Sequence, residues 1–306
     1  MRRLRKWIIR VLLIVILVPI VGVLTVECWY LPYFWINKEK VELDMTETDE
    51  ITVMSSNVRC FSPTDYFKKS WFYRANLIRD DINEVKPDII GFQEATWMHY
   101  GYLQDILEGY DSVITYRDDF ILSEGCPIFY RTDKFSLINK GSFWLSETPE
   151  VMSKDWNSAC YRVCSYVILK ENKTNKELVV FNTHLDHVSD EARINGINVV
   201  LDKIKEFGGK PSILMGDFNA KVGSATINAA YEVFDDAHNV ADNNLQEGFK
   251  EATYQGWGEK LNNKRIDYFM VSKEGIDVNT YDVLDRTHDG IYASDHFPIY
   301  IEIELE

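Results

Sequence analysis

Cysteine is scarce and unpatterned: the chain has five in 306 residues, at Cys28, Cys60, Cys126, Cys160 and Cys164, without metal-ligand spacing or the density of a disulfide scaffold. That excludes a zinc-ribbon or disulfide-stapled fold and leaves the cysteines as small core residues, with no Cys160–Cys164 bridge expected. Repeats, low-complexity tracts and any linker after Ile51 are also missing, so a single large domain is expected over 51–306. No basic, aromatic-interleaved surface stands out. The formal net charge is −15, and without the five cations of the first ten residues the balance is 28 basic against 48 acidic residues, a net −20. A body that acidic has no general attraction for polyanions, which argues against a stable nucleic-acid complex but not against a metal-bridged phosphate site.

The longest apolar run is N-terminal. Arg2, Arg3, Arg5, Lys6 and Arg10 precede residues 11–26, whose only interruptions are Pro19, Gly22 and Thr25. With Trp7, Ile8 and Ile9 the run approaches the length of a membrane span. Thr25-Val26-Glu27-Cys28-Trp29 lacks the small residues of a cleavage site, and Glu27 spoils a lipoprotein reading. An uncleaved signal anchor is expected, the alternative being a cleaved secretion signal. Residues 1–7 would be cytoplasmic, and 8–36 a transmembrane segment with Trp29, Tyr30, Tyr33, Phe34 and Trp35 as an aromatic belt. Residues 37–50 would then be a charged stalk and 51–306 a domain outside the cytoplasm, giving a single-pass cell-membrane protein.

Within the domain, Ala75, Ile78, Ile82 and Val85 recur at helical spacing, which predicts a helix over 71–85 ended by Lys86-Pro87. Tyr102, Leu103, Ile106 and Leu107 predict a second. Ile194, Ile197, Leu201 and Ile204 predict a third, capped by Ser189. Strands are expected at 51–56, 88–93, 126–131, 162–169, 177–183, 211–216, 265–272 and 297–305, the last alternating cleanly. Apolar runs such as "ELVVF" and "SILM" need cover on both faces, so two sheets packed on each other with helices outside are expected.

Several of these strands stop abruptly in polar side chains. "ITVMSSN" ends in Asn57, "DIIGFQE" in Glu94, "ELVVFNTH" in His184, and "SILMGD" in Asp217 with Asn219 beyond. Asp267 interrupts "RIDYFMV", and Asp295-His296 precedes the last strand. One buried carboxylate costs several kcal/mol unless paired or metal-bound. Singly, "GDFN" could be a turn, "NTH" a strand end, and Asp267 a partner for Arg265. Jointly they are tolerable only if they converge on a cation.

The ordered set "SSNVR", "GFQEA", "FNTHLDH", "MGDFNA", "RIDYFMVS" and "SDHFPI" resembles the endonuclease/exonuclease/phosphatase superfamily, of deoxyribonuclease I-like fold, from about Ile51 to Leu305. "FWLSE" and "THLDH" resemble a poorly assigned bacterial branch. The resemblance implies a four-layer α/β/β/α sandwich and Mg²⁺-dependent phosphoester hydrolysis, with Mn²⁺ able to substitute. It makes Glu94 the main metal ligand with Asn57 and Asp295, Asp217 the group that aligns or deprotonates water, and Asn219 a phosphate contact. His184 and His296 become the phosphate-contacting and proton-donating histidines, with Asp267 fixing the tautomer of His296. Arg162 and Tyr130 are further substrate-binding candidates. Residues 141–162 read as a loop rimming the cleft with Trp144 and Trp156, and Asp186-His187 as a surface turn.

The expectation is a monomeric hydrolase of a small phosphorylated metabolite or phospholipid headgroup, held to the membrane by its N-terminal helix. The alternatives are a nuclease and an inactive scaffold.

Overall fold

Where the chain alternates or runs apolar it forms strands, and where its apolar residues recur every three to four positions it forms helices. The computed structural model describes residues 2–46, 48–62, 64–244, 252–259 and 265–306. In chain order its strands are β1 (Ile51–Asn57), β2 (Ile89–Gln93), β3 (Tyr110–Val113), β4 (Ile128–Arg131), β5 (Phe135–Trp144), β6 (Val163–Glu171) and β7 (Glu177–His184). They continue with β8 (Ser212–Asp217), β9 (Phe234–Asp236), β10 (Asn243–Asn244), β11 (Asp267–Ser272), β12 (Ile276–Val283) and β13 (Ile299–Leu305). The helices are α1 (Arg2–Glu27), α2 (Leu31–Ile36), α3 (Trp71–Val85), α4 (Trp97–Ile106), α5 (Asp190–Glu206), α6 (Ala225–Val233) and α7 (Ala237–Val240).

One sheet runs β10-β12-β13-β1-β2-β4-β3 and the other β5-β6-β7-β8-β11-β9. Both mix parallel and antiparallel pairs, β1 with β2 and β7 with β8 being parallel. Val53, Ile89, Val180, Ile213, Met215 and Phe269 fill the space between the sheets. On the outside, α5 and α6 bury Ile197, Val200 and Ile227 against Phe181, Leu214 and Met270. On the opposite face α3 and α4 bury Ala75, Ile78, Leu103 and Ile106 against Met54, Ile90 and Phe92. This is the four-layer sandwich expected. A left-handed Lys86 ends α3, its N–H donating to Ile82 O at 2.7 Å, and Ser189 Oγ accepts from Ala192 N to start α5.

Two devices bring the sheets close beneath the strand ends. A Cβ on Gly91 would lie 2.4 Å from Met215 Cε, so a larger residue there would push the sheets apart. Beside it Gln93 Nε2 donates to Asn182 Oδ1 at 2.7 Å, and Asn182 Nδ2 donates to the carbonyls of Phe92 and Pro127 at 2.8 Å. Asn182 is therefore a buried tie between the sheets.

The unexpected strands include all four sheet edges, β10, β3, β5 and β9. β5 is mostly exposed along its length, so it shows no apolar pattern. Residues 141–144 accordingly belong to a strand and not to the rim loop.

The N-terminal expectation is corrected. Among the described residues no helix is long and apolar enough to cross a membrane. The uncharged stretch 11–26 spans about 24 Å at 1.5 Å per residue, short of the roughly 30 Å of a bilayer core. A single-pass anchor, and the localisation built on it, are not supported. Much of the supposed belt and stalk lies against the domain instead: Tyr33 stacks on Tyr73 with centroids 4.9 Å apart, Phe34 and Val41 are buried, and Val41 N donates to Ile106 O at 2.9 Å.

Candidate active site

Strand register assembles the site. β7, β8 and β11 lie side by side, and their pairing sets His184 opposite Asp217 and Asp217 opposite Asp267. Residues in one row across neighbouring strands share a face, so these three side chains emerge together. In the other sheet Asn57 pairs with Gln93 at the ends of β1 and β2, and Glu94 follows at a positive φ of 62°. Asp295 and His296 arrive on the segment before β13. Gly216 precedes Asp217 at φ +137°, where a Cβ would lie 1.9 Å from Thr183 O; the close parallel pairing of β7 and β8 there requires glycine. Phe218 turns back into the core against Tyr268. Asn219, at φ +49°, donates its N–H to Asp217 Oδ1 at 2.9 Å and its Nδ2 to Leu185 O at 3.1 Å.

These residues line a cleft of about 590 Å³. Asp217 is central: its Oδ2 lies 3.2 Å from Asn57 Nδ2, 3.5 Å from His184 Nε2 and 3.7 Å from His296 Nε2. His296 Nδ1 lies 2.9 Å from Asp267 Oδ2. Asp267 is available for this because Arg265 binds Asp236 through two bonds of 2.8 and 2.7 Å. Burial would lower the basicity of His296, but Asp267 and Asp217 overcome it and raise its pKa well above the ordinary value. Burial, reinforced by the positive Arg162, pushes His184 well below its ordinary value. Asp217 is pushed up to about 7, first by burial and then by the charge of Asp267. Burial would also raise Glu94, yet its pKa is lowered. The neighbouring His184, the Cys60 N–H at 2.7 Å, the Arg59 charge and the Asn57 amide at 3.0 Å together hold it down.

The donor chemistry fits a hard divalent cation. Glu94 and Asp295 offer carboxylate oxygens at one end of the cleft, where burial raises Asp295 despite the nearby His296. A cation would relieve the crowding of ionisable carboxyls there. Asp217, Asp267 and His296 also place one ligand atom each within 4.8 Å of one another, although the His296–Asp267 hydrogen bond suits proton transfer better. Asn57, as oriented, turns its NH₂ to Glu94 and Asp217 while its oxygen accepts from Arg59 N at 2.9 Å, so its side chain links the two carboxylates.

Glu94, Arg162, His184, Asp217, Asn219, Asp295 and His296 all line the cleft, and Asn57 and Asp267 bond directly to residues that do. Tyr130 does not join them. It is buried in the sheet–sheet core with its hydroxyl donating to Asp111 Oδ2 at 2.9 Å; an aromatic in an apolar strand packed as such residues usually do. Trp144 and Trp156 line two other grooves. Of the pair read as a surface turn, Asp186 is buried, 2% exposed, while His187 is exposed and lines the cleft, and Cys60 and Cys160 line the cleft instead of the core.

The sequence reading missed Arg59, Arg117, Glu124, Lys221 and Tyr254, which also line the cleft. Arg59 approaches Asp295 at 3.7 Å, and Arg117 pairs with Glu124 at 2.7 Å. Buried Arg74 was missed too; its Nη1 donates to the carbonyls of Val58 and Ala293 at 2.9 and 2.8 Å, fixing segments that lead to Arg59 and Asp295. A cation on the apolar face of α3 was the available signal.

A family model described as the Endonuclease/Exonuclease/phosphatase family matches residues 54–296. An endonuclease/exonuclease/phosphatase from Bacteroides vulgatus superposes with a TM-score of 0.79 at 29% identity, covering 85% of this chain and all of that one. A mannosyl-6-phosphatase of Bacteroides thetaiotaomicron superposes at 0.73 with 32% identity, covering 83% of this chain and 99% of that one. Among curated proteins, the Ccr4 3'-5'-exoribonuclease subunit of the Candida albicans CCR4-Not complex is 22% identical over 88% of this chain and 43% of its own length. Nocturnin of Drosophila melanogaster is 26% identical over 77% of this chain and 42% of its own. The chain thus spans less than half the length of these curated relatives.

Proposed function

Because the chain belongs to the endonuclease/exonuclease/phosphatase family, whose enzymes are generally divalent-metal-dependent hydrolases of phosphoester bonds, we propose that it uses Mg²⁺, or Mn²⁺ in its place, to hydrolyse a small phosphorylated metabolite or a phospholipid headgroup. The observation that carries this reading is Asp217 set between two histidines of opposite protonation preference. Glu94 and Asp295 would hold the cation, which when bound neutralises charge on the phosphoryl oxygens. The other roles belong to the protein. Asp217, with a pKa of about 7, aligns the attacking water and accepts its proton near neutral pH. His296, kept protonated by Asp267, donates to the departing oxygen. Asn219 and His184 face the phosphoryl oxygens.

The nuclease reading is supported by the exoribonuclease name of one relative. It is disfavoured by the acidic body of the chain.

The test is to incubate the full chain with Mg²⁺ against p-nitrophenyl phosphate, bis-p-nitrophenyl phosphate, sugar phosphates, sphingomyelin, plasmid DNA and RNA. Turnover should vanish with EDTA and return with Mg²⁺ or Mn²⁺. Asp217→Ala and His296→Ala should each lose about 10²–10⁴-fold. Activity that survives EDTA or persists in both variants would overturn the mechanism, and a preference for nucleic acid would overturn the substrate.

A further inference from the structure

We propose that Arg162 seats a terminal phosphoryl oxygen at one end of the cleft and thereby makes the substrate a phosphate monoester; this rests on the hydrolase reading above. Arg162 stands immediately before β6 and is 5% exposed. Among the described residues the one hydrogen bond of its side chain joins Nη2 to His187 Nδ1 at 3.0 Å. Its Nε is buried with no hydrogen-bond partner, the nearest carboxylate being Asp186 at 3.7 Å. Asp186 is already engaged: it accepts from Ser158 Oγ, Ala159 N, Val188 N and Ser189 N at 2.8 to 3.0 Å. A guanidinium taken out of water with an unused N–H is costly until an anion completes it, and its planar fork matches phosphate oxygens.

The space beside Arg162 limits what part of a phosphate enters. Arg162, Val163, Cys126, His184 and Glu94 border a niche of about 10 Å³, room for about one oxygen-sized atom. Its further wall is the Arg117–Glu124 pair, closed by contacts of 2.7 and 2.8 Å. In an in-line displacement the attacking and leaving oxygens are apical and three substituents are equatorial. On this proposal the niche, which Glu94 borders together with Arg162, would receive one of these, leaving the other two to Asn219 and to the cation that Glu94 and Asp295 would hold. In a monoester all three are unesterified oxygens. In a diester one carries carbon, which would leave a buried polar group unpaired wherever it was placed. Hydrolysis then balances simply: the water oxygen bonds to phosphorus, the P–O bond to the alcohol breaks, the alcohol leaves with a proton, and inorganic phosphate is released.

The test compares kcat/KM for p-nitrophenyl phosphate and bis-p-nitrophenyl phosphate on the Mg²⁺-loaded full chain, and measures inorganic phosphate binding by calorimetry independently of turnover. The monoester should be preferred at least about tenfold, and Arg162→Lys should weaken phosphate binding and cut the monoester-to-diester ratio by about tenfold or more. Val163→Ala, which widens the niche, should lower the same ratio, with thermal melts confirming that both variants fold. A diester preference in the unaltered chain, or a ratio and phosphate affinity unmoved in Arg162→Lys, would overturn the monoester assignment while leaving the hydrolase reading intact. Absence of turnover on both esters with phosphate binding still sensitive to Arg162 would support the niche and count against the hydrolase reading; no phosphate binding would overturn the niche.

Discussion

Replacing Asp267 by Asn keeps the shape of the His296 partner and removes its charge. His296 Nδ1–H donates to Asp267 Oδ2 at 2.9 Å, both side chains being nearly fully buried. A hydrogen bond to a charged partner contributes about 1.5–3 kcal/mol, against about 1 for a neutral one. The difference is about 0.5–2 kcal/mol, and at 1.36 kcal/mol per pH unit, losing the charge should lower the pKa of His296 by roughly 0.4–1.5 units. If His296 is the acid for the leaving group, the alkaline limb of the kcat/KM profile should move acidward by that amount, with a loss that grows with pH to about 2- to 30-fold on that limb. The sign for stability follows from linkage. A histidine whose pKa is raised on folding contributes stability that is complete below its unfolded value of about 6.5 and is lost as pH rises through the folded value. The melting gap between the native chain and Asp267→Asn should therefore be widest in acid and close toward alkaline pH. A pH–rate profile and a series of thermal melts measure both. A variant with an unmoved alkaline limb and native kcat/KM would refute the assignment of His296 as a charged acid held by Asp267.

Gly216→Ala should cost about 2–3 kcal/mol in denaturant midpoint and abolish turnover, because φ +137° is strained for alanine and Thr183 O blocks the Cβ. Asp186→Asn should destabilise the chain by about 1–2 kcal/mol at pH 7, since Asp186 anchors residues 158–160 and the start of α5. Burial opposes its ionisation, but the Ser189 and Val188 N–H groups hold its pKa down to about 2. That stability is present above the unfolded value near 4 and is lost as pH falls toward 2, so acid titration of the two melting curves should show them converging. Gly91→Ala should lower the melting temperature by a few degrees as Met215 and Asn182 are displaced from the sheet interface.

The motifs were legible because each is local: an apolar strand that breaks into Asn57, Glu94, His184 or Asp217 announces an unfavourable burial whatever the fold. The interior strands other than β12 and three amphipathic helices were legible for a similar reason, since a two-sided or one-sided core imposes a period on the residues that make it. Edge strands β3, β5, β9 and β10 were not, because solvent on their open side relaxes that period. At the N-terminus, an apolar run with flanking charge looked like a span until its aromatic end proved to pack on α3.

Convergence and protonation lay beyond the sequence. His184, Asp217 and Asp267 stand in one row only because three strands share a register, and register is a property of the sheet. Asp217 takes its raised proton affinity from burial and from Asp267, and His296 takes its own, against burial, from Asp267 and Asp217 on separate strands. Arg162 stands out in the sequence as a substrate-binding candidate, but only the fold shows its Nε unpaired because Asp186 is engaged elsewhere. The sequence by itself determined which chemical groups were available and which elements would carry them. Only the tertiary structure decided which of those groups face one another, because distance and desolvation, not residue type, set the charge each one bears.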